Sequence, residues 1–237
     1  MTFDWAILVE YWPVILRGLG LTLAASLIGV VFGLLVGLLI ALLRMSRTWG
    51  VSAIAAAYIE LGRNLPFMII VFLIFYGLPR WGLQMPAFLV GAIALSLYAG
   101  AYFAEIIRAA ILSVPKGQME SARAMGMSRI QALRYVIFPQ MMGFFLPPAT
   151  NQAIMVVKES SILSTITVAE LTMAGQIIQG YTYSPVEAFV TAAILYWLIC
   201  GAISRLGGKL ETALQPYRRR RAAAPAALDA TGEHGRV

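Results

Sequence analysis

The 237-residue chain is 60% hydrophobic and only 12% charged, with a mean hydropathy of +0.79. An average soluble domain carries about 25% charged residues, so a cytosolic enzyme, a nucleic-acid-binding protein and a disordered scaffold are all disfavoured. The composition therefore indicates an integral membrane protein. In such a protein the net charge of +7 is informative through the positions of the basic residues rather than through their sum.

Five apolar segments are predicted to cross the membrane as helices, which makes the fold all-α and polytopic. A helix needs about 20 apolar residues to cross the hydrocarbon core, and the uncharged segment 18–43 is the clearest of the five. The next span, 51–79, contains Pro66, which predicts a kink because proline lacks a backbone donor. The remaining predicted spans are 86–107, 141–169 and 187–204. The segment 141–169 is expected to be broken or re-entrant.

Basic residues are concentrated after the first, third and fifth spans. These groups are Arg44 and Arg47; Arg108, Lys116, Arg123, Arg129 and Arg134; and Arg205, Lys209 and Arg218 to Arg221. Two spans separate each group from the next, so all three are expected on one side of the membrane. Because basic loops stay cytoplasmic, the predicted topology is N-out and C-in. Segment 1–14 is then extracytoplasmic, and the basic tail 208–237 is cytoplasmic and disordered at its end.

The first span carries three glycines at four-residue spacing, Gly29, Gly33 and Gly37. Small residues at this spacing let two helix backbones approach closely. We expect this face to pack within the subunit, and contact between two copies of the chain is the alternative.

The basic segment between the third and fourth spans is patterned like a folded element. A short helix is predicted over 115–125, with Met119, Ala122 and Met125 on one side. Gly126 is placed to end this helix, because glycine tolerates left-handed geometry. The segment is compatible with a helix-turn-helix and equally with an amphipathic helix on the lipid surface.

A second short helix is predicted directly after Gly126. Ser128 followed by Gln131 forms the pattern of a capping box, which starts a helix. Pro139 is expected to close that helix.

This segment resembles the EAA loop, the signature of bacterial ABC-importer permeases. The family pattern is Glu-Ala-Ala, three residues, Gly, nine residues, and then Ile-x-Leu-Pro. The matching residues here are Glu120, Ser121, Ala122, Gly126, Val136, Phe138 and Pro139. Ser121, Val136 and Phe138 depart conservatively from the pattern, and its spacing is kept within the loop at 113–139.

The preceding sequence Ala101-Tyr-Phe-Ala-Glu105-Ile-Ile-Arg108 belongs to the same resemblance. Three flanking motifs resemble the polar amino-acid uptake branch, the histidine/glutamine type, of this binding-protein-dependent transport family. They are Tyr58-Ile-Glu60-Leu-Gly-Arg63-Asn-Leu-Pro66, Lys116-Gly-Gln118 with Pro139-Gln140, and Lys158-Glu-Ser-Ser-Ile-Leu163. The branch usually has Thr where Leu65 stands and Thr-Ser-Leu where Ser160, Ser161 and Ile162 stand. The resemblance covers roughly residues 15–207.

The resemblance implies a type I ABC-importer permease fold, with 15–207 as the transmembrane domain and the EAA segment as the coupling helix. The residues expected to contact a separate ATPase subunit are Gln118, Glu120, Ser121, Ala122 and Gly126. The chain lacks the phosphate-binding loop pattern. It is therefore expected to be a transporter subunit and not an enzyme, with no bound metal or cofactor, while the partner uses ATP.

The resemblance also implies the partners and the location. These are an ATPase dimer, a second permease subunit (this chain again or a paralogue), a periplasmic or tethered binding protein, an amino-acid substrate and the lipid of a bacterial inner membrane. Nucleic acid is not expected. The alternative is a secondary transporter or channel driven by an ion gradient, which would favour an internal repeat with broken helices. The amino acid that is carried stays open.

Charged residues inside the predicted spans are candidates for the substrate pathway, since such residues usually pair or line a cavity. Glu60 and Arg63 are three residues apart on one helix, and we expect a structural ion pair, with a pathway role as the alternative. Lys158 and Glu159 are adjacent and cannot neutralise each other simply.

The sequence Lys158-Glu159-Ser160-Ser161 is interpreted as lining the pathway, where its charges could meet the two charged ends of an amino acid. The alternative is a short interfacial loop outside the membrane.

Overall fold

The computed structural model describes residues 3–214, which are helical apart from short connections. The helices are α1 Trp5–Glu10, α2 Trp12–Arg44, α3 Trp49–Asn64, α4 Phe67–Gly77, α5 Ala87–Leu112, α6 Lys116–Ala124, α7 Arg129–Ala132, α8 Phe138–Glu159, α9 Leu171–Thr182 and α10 Pro185–Leu214. Short 3-10 helices span Leu78–Trp81 and Ser160–Ile166, and a π-helix spans Leu133–Ile137. The all-α prediction is confirmed.

Three helices, α2, α5 and α10, are each long and apolar enough to cross a membrane. The second and fourth predicted spans are each built from two segments at an angle: α3 with Phe67–Trp81, bent by 108°, and Arg129–Ile166 with α9, bent by 48°. Counting each bent pair as one span, the described residues contain five candidate spans, as the sequence predicts. The predicted disordered end of the tail falls on residues 215–237, outside the described part of the chain.

The expected kink at Pro66 is a complete break between two helices. α3 ends at Asn64, and Leu65 adopts an extended conformation with φ −90° and ψ 140°. Pro66 is then the N-cap of α4. The ring of a proline disfavours the helical conformation in the residue before it, which explains why the helix stops here instead of bending.

Pro139 does not close a helix, contrary to the prediction. The helical run that begins at Arg129 passes through the π-helix and continues to Ile166. Pro139 is the second residue of α8 and directly follows the π-helix, where the regular bonding between residues four apart is already interrupted. Pro147 and Pro148 also lie inside α8, so the break in the fourth span falls later, at 167–170.

The glycine face of α2 packs against α5 within the chain, as expected. A Cβ atom added at Gly29, Gly33 or Gly37 would lie 2.9, 2.7 or 2.6 Å from the Cβ atom of Leu95, Ala99 or Phe103, respectively. No side chain fits in these gaps without moving a helix. The glycines therefore set the α2–α5 distance.

These contacts also show that α2 and α5 are parallel, because later glycines of α2 meet later residues of α5. The fourth span runs the other way: Gly29 of α2 faces Val156, while Thr22 bonds to Leu171. The last helix is antiparallel to that span, since Tyr196 meets Glu170 and Gly207 meets Thr150. α2, α5 and α10 thus end at the same end of the bundle.

The described basic residues that follow the first, third and fifth spans therefore cluster at that shared end. The parity argument made from the sequence is confirmed to this extent.

Two separate groups of apolar side chains form the interior. The larger one, the main core, lies between the later part of α2 and α3, α4, α5 and α8 and includes Leu95, Phe103 and Val156. The smaller one, here called the α9 cluster, lies at the end opposite the basic residues. It consists of Ile15, Leu171, Ile178, Ala188 and Ala192, with residues of α1 packed against it.

Candidate coupling surface and translocation pathway

The turn that ends α6 has the geometry that the sequence predicts for Gly126. Its φ is +84°, a left-handed value that favours glycine. The N–H of Gly126 donates to the Arg123 carbonyl at 3.0 Å, and the N–H of Met127 donates to the Ala122 carbonyl at 3.2 Å. This pair of bonds is a Schellman motif. A Cβ at Gly126 would meet nothing within 4 Å, so the backbone conformation is the requirement.

The capping box that follows is also confirmed. The Ser128 Oγ accepts from the N–H of Gln131 at 3.3 Å, while the Gln131 side chain accepts from the N–H of Ser128 at 2.8 Å. Two adjacent caps leave little freedom between α6 and α7. The segment is therefore a defined helix-turn-helix at the basic end of the bundle.

The predicted coupling residues separate into two groups on α6. Gln118, Glu120 and Ser121 are exposed, and Gln118 accepts a hydrogen bond from the Gln140 side chain at 3.1 Å. Ala122, by contrast, is only 1% exposed. Its side chain faces the chain itself, so it sets the packing of α6 on the following helical segment, and direct contact with a partner is not available to it.

The apolar side predicted for α6 is only partly present, because Met125 is 71% exposed. Ile130 and Tyr135 on the next helical segment are also exposed. Apolar side chains that are displayed among basic residues often mark a surface for a partner. Sequence reasoning missed Met125 and Ile130 as exposed groups, and their position next to the Gly126 turn is the signal that could have found them.

Glu60 and Arg63 do not form the ion pair that their spacing predicts. Both side chains are exposed, and the Arg63 guanidinium lies 5.7 Å from the centre of the Tyr102 ring, within cation–π range. Among residues 3–214, Glu105 and Arg108 form an ion pair, in which the Arg108 Nε lies 2.9 Å from the Glu105 Oε2. The competing aromatic ring comes from α5, which the local spacing could not reveal.

The Lys158-Glu159-Ser160-Ser161 cluster is divided by the end of α8. Lys158 is exposed and Glu159 is half-buried, whereas Ser160 is fully buried. The Ser160 and Ser161 hydroxyls donate to carbonyls of their own helix, each at 2.7 Å. Ser160 is therefore not in a position to line a pathway, and no described bond brings Lys158 or Glu159 to Glu60 or Arg63.

Sequence reasoning missed Glu170, the one buried charged side chain among the described residues, with no exposed surface. It is the N-cap of α9 and accepts from the N–H groups of Thr172 and Met173, each at 2.9 Å. It also accepts from the Tyr196 hydroxyl at 2.7 Å. A polar residue directly before the apolar segment 171–178 is the signal that could have marked a cap here.

The comparisons with known proteins agree with this architecture. The family described as "Binding-protein-dependent transport system inner membrane component" matches residues 29–215. The chain belongs to this family. It is 34% identical over 242 residues to the octopine transport system permease protein of Rhizobium radiobacter, covering 98% of this chain and 99% of that one. It is also 34% identical over 213 residues to the glutamine transport system permease protein of Escherichia coli K12, covering 89% and 97%.

Solved structures have the same fold. A crystal structure of an amino acid ABC transporter with histidines matches with a TM-score of 0.82 and 40% identity, over 90% of this chain and all of that chain. An inward-facing MetNI methionine ABC transporter structure matches with a TM-score of 0.71 at 23% identity, over 85% and 96% of the two chains. The fold is that of ABC-importer permeases, and the relatives place the chain among amino-acid ABC transporter permeases.

Proposed function

We propose that this chain is the membrane-spanning subunit of an ATP-driven importer that takes up a polar amino acid delivered by an extracytoplasmic binding protein. The observation that carries the proposal is the rigid, exposed helix-turn-helix at the basic end of the bundle. A helix-turn-helix that is held by two successive caps can transmit a movement without changing its own shape. In a family of amino-acid ABC transporter permeases, a separate ATPase subunit is the partner that would supply this movement.

The orientation follows from the charge distribution. Because basic segments stay in the cytoplasm, the shared end of α2, α5 and α10 faces the cytoplasm and the α9 cluster faces outward. The ATPase dimer then meets α6 inside a bacterial cell, and the binding protein meets the opposite end. The chain lies in the inner membrane, with its exposed apolar helix faces in contact with lipid.

The coupling contact is assigned to the exposed residues of the segment. Gln118, Glu120 and Ser121 face the partner, and Glu120 can pair with a cation there. Gly126 holds the turn, and Ala122 keeps α6 close to its own subunit. ATP binding favours the outward-facing state, and hydrolysis resets it.

A second permease subunit completes the pathway, because five spans are few for enclosing a route across the membrane. The last helix has the free surface that such pairing needs, since Ile194, Trp197 and Leu198 are 51%, 69% and 51% exposed. The pathway charges are Lys158, Glu159, Glu60 and Arg63, all of which keep exposed surface.

The test is uptake by the reconstituted complex. Proteoliposomes that contain the chain with its ATPase subunit are given the binding protein and a panel of radiolabelled amino acids. We expect uptake of one polar amino acid that requires internal ATP and the binding protein. Uptake driven by a sodium or proton gradient without ATP would support the ion-gradient alternative instead.

A further inference from the structure

A buried carboxylate stands at the break in the fourth span, and the coupling segment makes no use of it. Glu170 has no exposed surface and no ion pair within the described residues. A buried charge of this kind is costly unless hydrogen bonds compensate it. Its two oxygens accept the N–H groups of Thr172 and Met173 and the Tyr196 hydroxyl, at 2.9, 2.9 and 2.7 Å.

The same network joins three helices. Thr22 of α2 donates to the Glu170 carboxylate at 3.4 Å and accepts from the N–H of Leu171 at 3.1 Å. The Thr172 and Tyr196 hydroxyls lie 3.1 Å apart. The first three N–H groups of α9 are thus satisfied by Glu170 and by Thr22 from α2, while Tyr196 ties the same carboxylate to α10.

The choice of glutamate is informative. Asp, Asn, Ser and Thr are the usual N-cap residues, since their short side chains reach the first N–H groups of a helix. A glutamate has one more methylene, and here its carboxylate caps α9 and also meets Tyr196 on α10. Capping alone does not require that length, whereas linking α9 to α10 uses it.

The chain changes direction next to this network. Thr167 adopts a left-handed φ of +67°, a conformation that is strained for a β-branched residue. The chain bends here by 48°. On one side of the bend α8 packs in the main core, and on the other side α9 packs in the separate α9 cluster.

We propose that Glu170 is a positioning residue of the transport cycle. It holds α9 to α2 and α10, which run unbroken to the basic end, so that α9 stays on these two helices when they move with the main core. This inference rests on the proposed function, because the movement originates at α6 and passes along the helical run 129–166. Without the network, α9 would no longer follow that movement, and ATP would be hydrolysed with less transport.

The experiment measures ATP hydrolysed per amino acid transported, in the reconstituted complex with its ATPase subunit and binding protein. The variants are Tyr196→Phe, Thr22→Val and Glu170→Asp, the last of which can still cap α9 but is too short to reach Tyr196. The matched control is Thr191→Val on α10, whose hydroxyl donates only to the carbonyl of its own helix, at 2.7 Å. Wild-type uptake tests the proposed function, so a change confined to the variants concerns Glu170 alone.

We expect Tyr196→Phe and Glu170→Asp each to raise the ratio of ATP to amino acid about two- to tenfold, the range for loss of one hydrogen bond. The double variant Tyr196→Phe/Glu170→Asp should have the same ratio as Glu170→Asp alone, because both changes break the bond between Glu170 and Tyr196. If the ratio in Tyr196→Phe and Thr22→Val matches that of Thr191→Val, even with a lower melting temperature, the network is structural and the proposal is wrong. Those two variants decide the matter whether or not Glu170→Asp assembles.

Discussion

At the scale of single residues, the helix-turn-helix that is proposed for coupling, α6 and α7, depends on one backbone conformation. Gly126 has a φ of +84° with open space around its Cα. Any side chain fits sterically, but an L-residue in this conformation costs about 1–2 kcal/mol. Ala122, four residues earlier, is constrained in the opposite way, by burial and not by conformation. Two residues of the same motif therefore support the turn for different physical reasons.

Gly126→Arg should abolish uptake and the stimulated ATP hydrolysis while leaving membrane insertion intact. The substitution strains the turn and places a cation on the surface proposed for the ATPase. Uptake, ATP hydrolysis and the amount of chain in the membrane are measured together. Gly208→Arg is the control, since a Cβ at this exposed glycine also meets nothing within 4 Å but no left-handed φ is involved. Uptake at the normal rate in Gly126→Arg would contradict the coupling assignment.

Glu159→Gln should weaken uptake, with a higher KM or a lower maximal rate, because it removes a half-buried charge proposed for the pathway. Kinetics of amino-acid uptake provide the measurement. Thr165→Val, about two turns later, removes a hydroxyl that donates to the Ile162 carbonyl, and it should leave the kinetics close to wild type. Unchanged affinity and rate in Glu159→Gln would remove Glu159 from the pathway.

At the scale of elements, close packing and helix breaks determine where the sites lie. The glycine face of α2 brings α5 near enough for their backbones to contact, which fixes the basic ends of both helices side by side. Arg63, in the last turn of α3 before the break at Pro66, meets Tyr102 of α5. The break at 167–170 lies between the main core and the α9 cluster.

Gly33→Ala should destabilise the protein by about 1–3 kcal/mol, the usual cost of overpacking. Its new Cβ would lie 2.7 Å from that of Ala99, so the two helices must separate. Gly20→Ala on the same helix is the matched control, because its Cβ would meet nothing within 4 Å and alanine has the better helix propensity. Thermal unfolding in detergent compares them. Equal melting temperatures would show that the α2–α5 contact is looser than described.

At the scale of the whole molecule, the arrangement of the spans gives its two ends a different character. The basic ends of α2, α5 and α10 and the helix-turn-helix lie together, and the α9 cluster lies opposite. In the topology proposed above, the basic end would meet the ATPase and the other end would meet the external binding protein.

Cysteine labelling should reveal this sidedness. In a Cys200→Ala background, Gln84→Cys, at the α9-cluster end, should react with an impermeant maleimide in intact spheroplasts. Thr48→Cys, at the basic end, should react only after permeabilisation. Both side chains are exposed, so accessibility to the reagent is matched. The reverse pattern would overturn the N-out topology.

The sequence by itself determined the class of protein, the number of spans and the grouping of the basic residues. It also determined both caps of the coupling segment, Gly126 and Ser128 with Gln131. These features depend on bilayer thickness, on charge and on hydrogen bonds between residues a few positions apart, all of which can be read along the chain.

The tertiary structure alone decided the partners of the charged and buried residues. Arg63 contacts Tyr102 in place of Glu60, and Ala122 is buried against its own chain. Glu170 accepts hydrogen bonds from Tyr196 and from Thr22, which is 148 positions away from it in the sequence. No local pattern encodes such contacts, because they arise only when the packing of helices brings distant residues together. Glu170 takes the partners that this packing supplies, since a buried carboxylate without hydrogen bonds would cost several kcal/mol of free energy, on the order of the cost of burying any unpaired polar group.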